Sequence, residues 1–188
     1  MGCAETFPKL KPLLGYLESL RGRMDLPLLH QALLESDVQL EDVTSACTFA
    51  EKHYQRNKIA TSDWFDLLVI CWKPGQASLI HDHTDSSCGF KILTGTATEV
   101  VYERTSGSGD LGDYVRPVSK RCYAPGEICL AHDNDIHRIS IDAARENLVT
   151  LHVYSPPLRM SYYNLDPALN LPPDQNDLEL GKLLAGSR

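Results

Sequence analysis

The residues best suited to chemistry lie in the run His81-Asp82-His83-Thr84-Asp85-Ser86-Ser87-Cys88, between Gly75 and Gly95. Alternate side chains of an extended segment project to one side, so His81 and His83 can offer two imidazoles to a common point. A third histidine, His137, occupies another strand-like run, residues 136–141, and His132 competes with it. Neutral imidazoles suit zinc, iron, copper and nickel, whereas magnesium and calcium prefer oxygen donors. Three neutral ligands leave the full dipositive charge on an ion and leave coordination positions open, the mark of catalytic metal. Cys88, a thiol, stands where many such sites carry a carboxylate. His30 and His53 have no comparable company and read as surface or satisfied core residues.

The elements that must position these groups change character along the chain. Leu10, Leu13, Leu14, Leu17 and Leu20 recur at helical spacing, as do Leu26, Leu29, Leu33 and Leu34. A third amphipathic helix is expected over residues 40–54, with Val43, Cys47 and Phe49 among its apolar positions. From Trp64 onward, short runs rich in Val, Ile, Leu and Tyr alternate with turns: 66–72, 77–83, 89–93, 97–102, 127–131, 136–141 and 148–154. This pattern predicts an all-β-dominated antiparallel barrel or sandwich, with the N-terminal α-helices packed on its outside. A single domain is expected over residues 1–188, mostly helical over 1–60, barrel over 64–157, and a polar tail over 158–188. The tail, with Pro167, Pro172 and Pro173, is read as wrapping the barrel or partly disordered.

Composition narrows the class. The 188 residues are 43% hydrophobic and 23% charged, as in ordinary globular proteins. A formal charge of −7 without a Lys/Arg cluster disfavours nucleic acid and anionic lipid as partners. No run approaches the roughly 18 apolar residues of a membrane span, and no apolar leader of the export type is seen. The six cysteines form no CxxC pair, so reduced thiols and a cytoplasmic location are expected. Packing is the expected role of Cys3, Cys47, Cys71, Cys122 and Cys129.

The spacing Gly75, His81, His83, Cys88, Gly95 resembles the first cupin motif, with cysteine where most cupins have glutamate. Gly126, His132, Asn134 and His137 resemble a degraded second motif, whose register selects His137 over His132. The fold implied is the cupin-type antiparallel β-barrel, or jelly roll. Within the cupins the chain is similar to the cysteine dioxygenases. The matching stretches are Tyr54-Gln55-Arg56-Asn57, Ile70-Cys71-Trp72, residues 80–86 with Cys88 and Lys91 in register, and residues 151–157, Leu-His-Val-Tyr-Ser-Pro-Pro.

The resemblance implies one mononuclear Fe(II) per chain, held by His81, His83 and His137. It implies a reaction in which dioxygen adds both atoms to the sulfur of L-cysteine, giving cysteine sulfinic acid, the first step of cysteine catabolism. A three-histidine site lacks the charge that a carboxylate ligand would supply, and an incoming thiolate provides it. Arg56 corresponds to the family's carboxylate-binding arginine, with Tyr54 assisting; a guanidinium fork holds a carboxylate by paired hydrogen bonds. Tyr154 would set its phenol beside the bound thiol, and Cys88 and Tyr154 can be joined by a thioether. Thr150, His152 and Tyr154 share a strand face and form an expected relay, and a cis bond is expected between Ser155 and Pro156. The competing readings are a dioxygenase of another small thiol, such as 3-mercaptopropionate or cysteamine, a zinc hydrolase on the same scaffold, and a ligand-sensing cupin. A monomer acting on L-cysteine and O2 is the expected form.

Overall fold

A computed structural model describes residues 3–132 and 134–169. Among the described residues nine strands form two facing sheets, one ordered β1-β2-β8-β3-β6 and the other β7-β4-β5-β9. The first contains β1 (Gln55–Thr61), β2 (Asp66–Trp72), β3 (Ser87–Thr94), β6 (Ile128–Ala131) and β8 (Leu148–Ser155). The second contains β4 (Ala97–Ser108), β5 (Asp113–Tyr123), β7 (Ile136–Ser140) and β9 (Asn164–Leu165). Every pairing is antiparallel except β5 with β9. This is the expected jelly roll, a pair of facing sheets rather than a closed barrel.

The strands nearest the centre are buried on both faces, and the reason is the helices. β2 and β8 are buried at every position. Leu68, Ile70 and Trp72 of β2 face the interior between the sheets. Leu67, Val69 and Cys71, together with Val149, Leu151 and Val153 of β8, face outward. Among the described residues four α-helices precede the strands, α1 (Cys3–Thr6), α2 (Lys11–Ser19), α3 (Leu26–Glu35) and α4 (Leu40–Val43), and α2, α3 and α4 cover that outer surface. Leu13, Leu14 and Leu17 of α2 and Leu29 and Leu33 of α3 supply the buried stripe. Leu34, expected in that stripe, is 62% exposed. Asp25 starts α3 by accepting the Leu28 N–H at 3.0 Å, and Pro27 sits in its first turn. The close approach of α3 leaves little room for a side chain at position 89. A Cβ on Gly89 would stand 2.9 Å from Leu33 and 3.0 Å from Leu29 and Leu130.

Several expectations need correction. The third helix ends at Val43, continues as a 3-10 turn over Thr44–Ala46, and is followed by irregular chain. Thr44 Oγ1 donates back to the Leu40 carbonyl at 2.9 Å, Asn57 Nδ2 donates to the Thr48 carbonyl at 3.2 Å, and Gln76 Nε2 to the Ala50 carbonyl at 2.9 Å. These side chains claim carbonyls that a continuing helix would use. Phe49 is therefore exposed. Strand β1 replaces the end of the expected helical region, and β5 escaped notice because most of its residues face solvent. Residues 77–83 form isolated bridges rather than a continuous strand. There the Ser78 hydroxyl, not a backbone carbonyl, accepts the Ile139 N–H at 3.0 Å and interrupts the ladder.

The wrapping reading of the tail describes residues 158–169, where β9 extends the second sheet and Tyr163 is buried. Residues 170–188 lie outside the described residues, as does the Cys3 side chain. Cys71 and Cys129 are buried and Cys47 partly so, in keeping with packing. Cys122 is exposed, because it sits on the solvent-facing side of β5, and packing is not its role. Among the described residues no helix is long and apolar enough to cross a membrane.

Candidate metal centre and active site

The segment 77–83 lies between β7 and residues 161–163. His81 and His137 exchange backbone hydrogen bonds of 3.0 and 2.9 Å, Asp82 N–H donates to the Ser161 carbonyl, and Tyr163 N–H to the Ile80 carbonyl. This double attachment holds His81 and His83 rigidly even without a full ladder. Asp82, whose position alternates with theirs, pins the loop from behind. Its carboxylate accepts from Thr84 N–H, Thr84 Oγ1, Ser161 N–H and, at 2.6 Å, Tyr163 Oη. Burial alone would raise the Asp82 pKa, but these hydrogen bonds outweigh it and hold it below the usual carboxylate value.

The structure brings His81, His83 and His137 together, with one ligand atom from each within 4.8 Å of the others. All three are buried. Tautomers follow from their partners. His81 Nδ1 faces the Leu79 carbonyl at 2.8 Å and His137 Nδ1 faces the Glu99 carboxylate at 2.7 Å. Only an N–H suits those acceptors, so in the neutral ring Nε2 of each is the atom that carries the lone pair. Nε2 of His137 and Nε2 of His83 stand 3.3 Å apart. Two nitrogens about 2.1 Å from one ion at tetrahedral angles would be separated by roughly this much. Burial, and then the neighbouring His137, lower the His81 pKa to about 3 and the His83 pKa to about 2, so both are neutral and able to coordinate. The donor set fits a mononuclear metal ion. His132 is exposed and stands outside this group.

Cys88 and Tyr154 bring a second set of groups to the same cavity. They are directly paired across β3 and β8 and both point inward. Burial raises the Cys88 pKa, with the charge of Glu99 adding to it, so the thiol is neutral at rest. Thr150, His152 and Tyr154 lie within hydrogen-bonding distance of one another in turn. Thr150 Oγ1 lies 2.8 Å from His152 Nε2, and His152 Nδ1 lies 3.1 Å from Tyr154 Oη. Trp72 Nε1, an addition that sequence reasoning missed, donates to Thr150 Oγ1 at 3.3 Å, and Thr150 faces the Ile70 carbonyl at 3.3 Å. With Trp72 and His152 donating and Ile70 accepting, every hydroxyl position of Thr150 is used. The Tyr154 O–H then donates to His152 Nδ1. Burial, and then Arg56, hold the His152 pKa well below its ordinary value.

Arg56 and Tyr54 line the cavity from the neighbouring β1 side. The Arg56 guanidinium lies over the Tyr154 ring at 5.5 Å, half buried, and among the described residues it makes no ion pair. Tyr54 stacks on Trp72 with ring centroids 4.2 Å apart. Antiparallel pairing sets this arm, with Arg56 opposite Ile70 and Gln55 opposite Cys71. The Ser155–Pro156 bond is cis, as expected.

Glu99 was not foreseen. It sits on β4 two residues from the buried Ala97, and an acidic residue on the inward face of an apolar strand was the available signal.

The paired sheets place the chain among proteins of jelly-roll architecture. A Klebsiella pneumoniae protein with a double-stranded β-helix domain superposes with a TM-score of 0.51 at 16% identity, covering 69% of this chain and 93% of that one. A Thermus thermophilus protein gives 0.50 at 18% identity, covering 64% and 99%. The family is given by sequence: the model for cysteine dioxygenase type I matches residues 28–163, and the chain belongs to that family. Cysteine dioxygenase type 1 of zebrafish (Danio rerio) is 30% identical over 132 residues, covering 69% of this chain and 65% of the relative. The rat (Rattus norvegicus) and human (Homo sapiens) proteins of that name are 27% and 28% identical over 146 residues, covering 69% of this chain and 72% of each relative.

Proposed function

We propose that the protein is a thiol dioxygenase that holds one Fe(II) at His81, His83 and His137 and converts L-cysteine and O2 to cysteine sulfinic acid. The observation that carries the reading of a carboxylate-bearing thiol as substrate is Arg56, a half-buried guanidinium on the cavity wall with no ion-pair partner among the described residues. A carboxylate entering the cavity would satisfy it. A ferrous ion in the three-histidine site would bind the substrate sulfur as thiolate and activate dioxygen beside it. RSH plus O2 gives RSO2H, so atoms and electrons balance without an external reductant.

The chain's own residues do the rest. Arg56, with Tyr54 beside it, orients the amino acid by its carboxylate. Tyr154 presents its phenol oxygen to the reacting sulfur, held by His152, whose neutral ring is fixed in turn by Thr150 and Trp72. A thioether between Cys88 Sγ and the Tyr154 ring would lock that phenol further, and pre-set geometry removes unproductive positions from the search. A cytoplasmic setting would keep the remaining thiols reduced.

A second small-thiol substrate is favoured by the same observation, because 3-mercaptopropionate also carries a carboxylate for Arg56. Oxygen uptake by the iron-loaded protein with L-cysteine, 3-mercaptopropionate and cysteamine separates the readings. L-Cysteine should give the highest kcat/KM, and a clear preference for 3-mercaptopropionate would reassign the substrate. Inactivity with all three would overturn the dioxygenase reading.

A further inference from the structure

The site residues described above leave the buried charge of Glu99 unexplained. Glu99 is 7% exposed and both of its carboxylate oxygens are occupied. Oε1 accepts from His137 Nδ1 at 2.7 Å and from Cys129 Sγ at 3.3 Å, while Oε2 accepts from Tyr123 Oη at 2.9 Å. A buried carboxylate is costly unless it is paired and hydrogen-bonded, so its retention inside an apolar layer calls for a reason. Tyr123 and Cys129 could both have been satisfied by neutral groups. His137 is the one partner to which a full negative charge matters.

We propose that Glu99 is the positioning residue of the metal site: it fixes His137 as the Nδ1–H tautomer and supplies, through that imidazole, the negative charge that three neutral ligands lack. This rests on the reading of His137 as a metal ligand. The geometry supports it in two ways. The short contact to Nδ1 leaves Nε2 facing His83 as an unprotonated donor. Backbone pairing of Val101 with His137 and Glu99 with Ile139 sets the carboxylate alongside the ring from the adjacent strand. A carboxylate behind a ligating histidine raises the ring's basicity, and removing it typically costs about 10- to 100-fold in metal affinity. A more basic donor also favours the ferric over the ferrous ion.

The test uses Glu99→Gln, which keeps shape and one acceptor but removes the charge, beside Tyr123→Phe, which keeps the charge. Three readouts are taken: Fe(II) affinity by competition with a chromogenic chelator, the ferric/ferrous midpoint potential, and the His137 tautomer in metal-free protein by nitrogen-15 NMR. Glu99→Gln should weaken Fe(II) binding about 10- to 100-fold and raise the potential by about 59 mV per tenfold loss of ferric preference. Tyr123→Phe should hold affinity near wild type and leave the potential equal or lower. Wild type should show Nδ1–H at His137, and Glu99→Ala a mixture. Wild-type affinity and potential in folded Glu99→Gln would overturn the proposal, as would equal losses in Tyr123→Phe. Should the glutamine variant not fold, Glu99→Asp decides: a charge set back by one methylene should retain the low potential, and a potential unchanged on Glu99→Ala would overturn the role. If wild type itself binds no Fe(II), the metal reading fails separately, and the tautomer in metal-free protein still decides the Glu99–His137 relationship.

Discussion

Cys88 and Tyr154 occupy directly opposed positions on antiparallel strands β3 and β8, both facing the cavity that holds the three histidines. Side chains so paired approach within about 5 Å at Cβ, which is close enough for a sulfur to bond an aromatic carbon after small adjustment. Joining them removes two hydrogens. Incubation of the iron-loaded protein with L-cysteine and oxygen should therefore produce a species about two mass units lighter, with a peptide linking the two residues. Cys88→Ala should abolish it. A light species persisting in Cys88→Ala would contradict the assignment.

Arg56 offers a sharper test of substrate binding. Arg56→Gln removes a charge-assisted contact, and such contacts contribute about 1.5–3 kcal/mol, or roughly 10- to 100-fold in kcat/KM. L-Cysteine turnover should fall by this much. Cysteamine, which has no carboxylate, should be nearly unaffected. Steady-state oxygen uptake with both thiols checks this, and an equal loss for both would remove Arg56 from the carboxylate.

Gly89 ties the helical layer to the sheet. A Cβ there would lie about 3 Å from the tips of Leu29, Leu33 and Leu130. Gly89→Ala should lower stability by about 1–3 kcal/mol through overpacking, read as a lower urea midpoint with iron affinity little changed. Unaltered stability would mean that α3 yields easily.

Acid should destabilise the metal-free protein in a defined window. The folded pKa values of His81 and His83 are lowered to about 3 and about 2, below the unfolded value near 6.5. Between those limits the unfolded chain binds more protons than the folded one. The contribution is fully present above about pH 6.5 and is lost as pH falls, at up to about 1.4 kcal/mol per pH unit for each histidine. Denaturant midpoints at about pH 7.5 and pH 5 should differ accordingly. Equal midpoints would show that these rings are accessible to protons in the folded state.

Much of this arrangement is legible in the sequence because it depends on period and register. His81 and His83 two residues apart, and Thr150, His152 and Tyr154 in the same step, declare common faces. Their convergence, however, comes from bridges to residues 137 and 162, which no local pattern announces. β5 was hidden because its residues serve a ribbon with solvent on both sides, so alternation is missing. The helical reading of residues 40–54 failed because polar side chains captured the backbone carbonyls. Glu99 and Trp72 were overlooked for a different reason. Each lies on a recognised strand, yet its importance arises only when another strand brings His137 or Thr150 alongside.

The most direct measurement is turnover of L-cysteine by the iron-loaded protein under oxygen-18 gas in ordinary water, with the product analysed by mass spectrometry. Sulfinate carrying two oxygen-18 atoms from one dioxygen is expected, with loss of both iron and product when His81, His83 or His137 is replaced by alanine. Product oxygen drawn from water, or full turnover after removal of any one of these histidines, would contradict this expectation.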